Sequence, residues 1–228
     1  LCVLMLGGVG YYFRNTIFPP DPLVIEAKAK AHMDAGEWDD AERQYQRATA
    51  FATKQKHEEA AELYFNWATM KEKWSREEAE QLSETRHREL MGQTLACLRK
   101  ALHTDADYLE AQEKYTEYYW ILSRRGGVTV QEFIAEADKL LRLDPENHLT
   151  YFRRALARTR LAETMGGELA DRVLADFDKA IELQPDQPDY WLFKAQFLEK
   201  VLRIDEARET YEAGLEANPD AAGLRTAY

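Results

Sequence analysis

Cysteine is nearly absent. Cys2 and Cys97 are the only two among 228 residues, too few for a disulfide scaffold or a cysteine-rich zinc domain. The five histidines, His32, His57, His87, His103 and His148, are scattered, and neither His-x3-His nor Cys-x2-Cys occurs, so no metal or cofactor is expected. A phosphate-cradling loop is missing: Gly7-Gly8-Val9-Gly10 sits in an apolar run, and Gly126-Gly127 lacks a following Lys-Ser or Lys-Thr. Gly-x-Ser-x-Gly is also missing, and neither cysteine has a base beside it, which leaves no candidate catalytic residue. There is no basic excess either. Thirty Lys and Arg face 41 Asp and Glu, a net charge of −11, which disfavours nucleic acid because phosphate binding needs cations. Glycine (11) and proline (7) are sparse while 45% of residues are hydrophobic, which excludes a disordered or low-complexity chain.

Long apolar runs are confined to the start. Residues 1–13, LCVLMLGGVGYYF, carry no charge, yet a membrane-crossing helix needs about 20 such residues. Tyr11, Tyr12 and Phe13 before Arg14 suit a membrane–water interface, and Gly7, Gly8 and Gly10 suit close helix approach in lipid. Because the first residue is Leu and not Met, the segment reads as the end of a single-pass transmembrane helix cut short. The expectation is a membrane anchor over 1–14, a proline-stiffened spacer over 15–22 (Pro19-Pro20-Asp21-Pro22), and the rest of the chain on the extracytoplasmic side.

Beyond residue 22 no β-branched runs occur, and apolar residues recur at helical spacing. Breaks fall at Ala35-Gly36, Arg125-Gly126-Gly127, Asp144-Pro145, Gly166-Gly167, Gln184-Pro185 and Asn218-Pro219, with 34 residues from Pro185 to Pro219 and 40 from Pro145 to Pro185. The last interval carries Trp191, Ala195, Leu198, Ala207, Tyr211, Gly214 and Pro219, and the first stretch carries Ala29, Gly36, Ala41, Tyr45 and Ala48 at the same spacings. Tyr151, Ala155, Phe177, Ala180 and Pro185 repeat the pattern with about six residues added near Met165-Gly166-Gly167. Thr116, Tyr119, Ala137 and Pro145 repeat it more loosely. Tyr64 and Ala68, then Leu98 and Ala101, repeat it with a 34-residue gap where about 20 is usual. This chain resembles the tetratricopeptide repeat family, whose 34-residue helix–turn–helix units carry such small and aromatic positions. The resemblance implies an all-α, right-handed superhelical solenoid of about five units, 23–55, 56–108, 109–147, 148–187 and 188–220, with 221–228 starting a further or capping helix. In the second unit, Ser75-Arg-Glu-Glu78 has capping-box spacing and predicts a long helix from Arg76 to about Leu102. The absence of a complete polar closing helix suggests a chain that continues or a partner that covers its end.

The family binds proteins in a concave groove lined by the second, fifth, ninth and twelfth positions of each first helix. Carried onto this chain, the resemblance assigns partner binding to Glu110, Glu113, Glu117 and Trp120, to Leu149, Phe152 and Leu156, and to Leu192 and Gln196. Lys, Asn and Arg do not occupy these positions in the arrangement with which some members clamp a terminal carboxylate. Glu113 and Glu117, four apart, form a like-charge pair that wants a cation opposite. Two readings follow: an ion-pair network with Arg153, Arg154, Arg158 and Arg160, or a groove for a segment with basic and apolar side chains. The functional expectation is a non-catalytic scaffold that positions protein partners at a membrane, with no small-molecule substrate. The alternatives are a permanently assembled subunit of a larger membrane-associated complex, or a regulatory repeat module of a longer enzyme chain.

Overall fold

The computed structural model describes residues 20–165 and 167–228. Among the described residues eleven helices follow one another and no strand occurs. They are α1 (Pro22–Asp34), α2 (Trp38–Gln55), α3 (Ala60–Glu77), α4 (Glu84–Thr104), α5 (Leu109–Arg125) and α6 (Val130–Leu143). The series continues with α7 (His148–Met165), α8 (Gly167–Leu183), α9 (Pro188–Lys200), α10 (Ile204–Ala217) and α11 (Ala222–Ala227).

Local chemistry explains where these helices begin and end. Asp21 accepts from the Leu23 amide at 2.9 Å, and Pro22, which has no amide hydrogen to strand, opens α1. Gly36, at φ +74°, takes the left-handed conformation that turns the chain from α1 into α2. Thr129 and Glu132 form a reciprocal capping box at the start of α6: the Glu132 amide donates to the Thr129 hydroxyl at 3.1 Å, and the Thr129 amide donates to the Glu132 carboxylate at 2.7 Å.

The chain divides into two units, one ending at Ala111 and the other running Gln112–Tyr228. In the first, Ile25, Ala48, Ala52, Ala60 and Leu63 form a buried cluster, and Trp38 stacks on Trp74 with ring centroids 6.1 Å apart. Lys71, 1% exposed, sits between α2 and α4, where its ammonium donates to Glu42 at 2.5 Å and to Gln93 at 2.7 Å. In the second unit Ala155, Val173, Phe177, Phe197 and Leu198 make the main cluster. The small residues expected at helix crossings are fully buried, Ala29, Ala41, Ala68, Ala101, Ala137, Ala155, Ala180 and Ala195 among them. Gly214 shows why size matters there: a Cβ at this position would stand 2.7 Å from the Trp191 Cβ.

Two expectations change. The long helix starting at Arg76 is not formed. Instead α3 runs on to Glu77, and α4 starts at Glu84 with Ser83 as its cap, the Ser83 hydroxyl accepting from the Arg86 amide at 3.2 Å. Ser75 lies inside α3, where its hydroxyl meets His87 Nδ1 at 2.9 Å, so it is committed to tying α3 to α4 and caps nothing. The extra residues of this region are spread over both helices, 18 in α3 and 21 in α4. Leu90 is buried and the Arg86 guanidinium lies 4.8 Å from the Trp74 ring, so α4 packs along α3.

The second change concerns the membrane. Among the described residues no helix is long and apolar enough to cross a membrane, which overturns the single-pass anchor and the extracytoplasmic placement that depended on it. Residues 1–14 and the spacer before Pro20 lie outside the described residues. The added residues near Met165-Gly166-Gly167 extend the two helices that meet there: Gly166 is outside the described residues, and α7 and α8 have 18 and 17 residues where α9 and α10 have 13 and 14.

Candidate functional site

α7 carries the site, and its spacing decides which side chains share a face. Leu149, Phe152 and Leu156 are three and four residues apart and point the same way. With Trp120 from α5 and Phe193 from α9 they line a groove of about 520 Å³ in the second unit. The Phe152 ring anchors its floor, 4.5 Å from Tyr190, 6.1 Å from Phe177 and 5.6 Å from Phe193 between centroids. Trp120 is held from behind by Phe133 of α6, at 5.2 Å. Tyr190 is fixed in turn by a 2.7 Å hydrogen bond between its hydroxyl and His148 Nδ1.

Three cations complete the lining: Arg124, Arg153 and Arg160. The Arg124 guanidinium lies 5.7 Å from the Trp120 ring, and Arg160 donates to the Ser123 carbonyl at 3.4 Å. Arg153 loses solvent on the groove wall, which lowers its pKa from the usual guanidinium range, while the charge of Glu117 acts in the opposite direction. Its neighbour Arg154 is turned about 100° around the helix and does something else. Arg154 donates to both oxygens of Asp176 on α8, at 3.0 and 2.5 Å, and to Asp138 on α6 at 2.6 Å. Arg158, one turn on, donates to Asp176 at 2.6 Å. An arginine network is therefore present, but its acids are Asp138 and Asp176.

Four of the nine positions assigned to partner binding come together: Trp120, Leu149, Phe152 and Leu156. Leu192 packs instead against the cluster of Ala195, Tyr211 and Leu224, and Gln196 is exposed outside the groove. Glu113 and Glu117 are exposed on α5. Glu110 lines a separate depression of about 410 Å³ in the first unit with Glu58, Glu62, Asp105 and Tyr108. There burial, and then the charges of Glu110, Glu62 and Asp105, push the Tyr108 hydroxyl up to about 12. The residues not foreseen are Phe193, Arg124, Arg153 and Arg160. A signal for two of them was available, since 149, 153, 156 and 160 form one continuous helical stripe.

Elsewhere, His32, Glu37 and Asp40 bring three possible ligand atoms within 4.8 Å at the α1–α2 turn. His32 Nδ1 lies 2.6 Å from the Glu37 carboxylate, and Asp40 pairs with Arg43, so the turn satisfies itself at the surface.

No family model matches the chain. A relative from Dictyostelium discoideum, the protein STIP1 homolog, is 34% identical over 90 residues, 40% of this chain, and the match spans about 15% of that protein's length. Among solved structures, YrrB, described as a TPR protein with an unusual peptide-binding site, superposes with a TM-score of 0.62 at 13% identity, covering 95% of this chain and 96% of that one. A MamA crystal structure gives 0.61 at 14% identity over 86% and 91% of the two chains. MamA residues 41 to the end from Desulfovibrio magneticus RS-1 give 0.57 at 10% identity over 88% and 97%. The fold is of the tetratricopeptide type. At these identities the likeness establishes the fold and nothing finer.

Proposed function

We propose that this chain is a non-catalytic interaction module that holds a segment of a protein partner in the groove between α5, α7 and α9. The observation that carries the reading is the convergence of Trp120, Leu149, Phe152 and Leu156 with Phe193 on one open, mainly apolar surface. Leu149 and Phe193 each keep 39% of their surface exposed, an arrangement that a partner side chain would cover with gain. The description of YrrB as peptide-binding supports the same use of the fold. In this reading the helices group into five repeats, 23–55, 56–108, 109–147, 148–187 and 188–220, with α11 following the last.

Site-specific photo-crosslinking tests the proposal. A benzoylphenylalanine at Phe193 should yield a discrete adduct in source cells, and one at exposed Glu216 on α10 should not. Equal labelling from both positions, or none from Phe193, would remove the groove as the binding surface.

A further inference from the structure

We propose that the occupant of this groove is an extended protein segment that is both apolar and acidic, its aliphatic or aromatic side chains on Phe152 and Leu156 and its carboxylates on Arg153 and Arg160. The inference rests on the groove reading and names its ligand chemistry. The first argument is charge complementarity. The chain carries a net charge of −11, yet every charged side chain lining the groove is an arginine. A second depression of about 410 Å³ shares Trp120 and Arg124 with the groove and adds Arg125, so the cationic rim continues to the C-terminal end of α5.

The second argument is what these arginines lack. Arg154 and Arg158 have their guanidinium groups taken up by Asp138 and Asp176. Arg153, on the groove side, makes no hydrogen bond or ion pair within contact distance among the described residues, and the more distant Glu117 and Tyr190 act on it electrostatically. A partly desolvated guanidinium without a partner is a costly group that a planar carboxylate relieves through two parallel hydrogen bonds. Spacing supplies the third argument. Arg153 and Arg160 are seven residues apart on α7, a rise of about 10 Å, which matches carboxylates three residues apart on an extended segment of the polyproline-II type, where such residues share a face about 9 Å apart. Leu156 lies within this interval and Phe152 at its edge, and the two would take the apolar residue between the carboxylates.

Selection of a phage-displayed library of random twelve-residue peptides on the intact chain, with depletion on the Leu156→Glu variant, tests this. The enriched peptides are expected to combine Leu, Phe or Trp with two or more Asp or Glu. One of them, fluorescently labelled, should lose at least tenfold in affinity on Arg153→Glu, with Arg153→Gln intermediate. Its counterpart with lysine in place of the carboxylates should prefer the Arg153→Glu protein. Circular dichroism verifies that each variant is folded, and Arg160→Glu substitutes if Arg153→Glu is not. Enrichment of neutral or basic peptides that bind Arg153→Glu equally well would overturn the acidic preference and leave the groove reading standing. No enrichment, or binding indifferent to Leu156→Glu, would overturn both. Concentration-dependent dimerisation of the intact chain that Leu156→Glu abolishes would replace the segment by a second copy of this chain.

Discussion

Asp176 joins α8 to α7 through two arginines. Its side chain is 4% exposed and receives three hydrogen bonds, two from Arg154 and one from Arg158. Asp176→Asn keeps the shape but leaves two partly buried guanidinium groups short of a counter-charge, so the variant should lose roughly 3 kcal/mol in urea denaturation. Leu149, Phe152 and Leu156 occupy the other side of α7, so an equally folded Asp176→Asn protein should keep its groove and bind the same peptides. Cys97 behaves in a different way. Burial pushes its thiol up to about 11, with Lys71 and Lys100 pulling it down and Glu42 adding to the rise. The thiolate fraction at pH 8 is then about one in a thousand. In a Cys2→Ser background its reaction with a disulfide reagent should therefore follow unfolding, and rapid labelling of the native protein would contradict the burial. The sign of the linkage is fixed by the same shift. The unfolded thiol, near its ordinary 9.0, releases its proton first, so the contribution to stability is complete below pH 9 and disappears as pH rises toward 11.

At the scale of elements, a capping sequence marks a helix start only where packing lets the preceding helix end. Ser75 and Ser83 both stand at a position that could open a helix, and Ser75 has the acidic residue three places on. Ser83 is the one that caps, because α3 continues past Ser75 with Trp67, Lys71 and Trp74 buried along it and Arg86 closing over Trp74. Ser83→Ala should therefore cost about 1 kcal/mol by urea denaturation, the usual value of a lost N-cap. Ser75→Ala removes the hydrogen bond to His87 and no cap, so it should leave the amide hydrogen exchange of Glu84–Arg86 unchanged while Ser83→Ala accelerates it. Elsewhere the capping signals were legible: Thr129-x-x-Glu132 marks the start of α6 and Pro188 the start of α9.

At the scale of the whole molecule, stability is distributed among neighbours in the series, as stacked repeats require. Leu224 of α11 is buried on Ala195 and Tyr211. Leu224→Ala should thus lower protection against hydrogen exchange in α9 to α11, by about 2–4 kcal/mol, while residues 22–104 keep theirs. A uniform loss over the chain would show cooperativity of a longer range than local stacking provides. Much of the architecture was legible from residues such as Ala29, Ala155, Phe177 and Gly214, because helix crossings accept only certain sizes, and size is written in residue type. The groove was legible in part: Trp120, Leu149, Phe152 and Leu156 are among the positions that the family resemblance assigned to it. Its charge was not. Arg153 and Arg154 are adjacent and chemically identical, and only the packing of α7 against α6 and α8 ties one to Asp138 and Asp176 and leaves the other facing the groove. The sequence alone determined the helices and their approximate spacing, because these depend on local propensity and on which residue types are present. Tertiary structure decided which of several like-charged side chains are paired within the fold and which line the groove, because pairing depends on distances between helices that no spacing along the chain encodes.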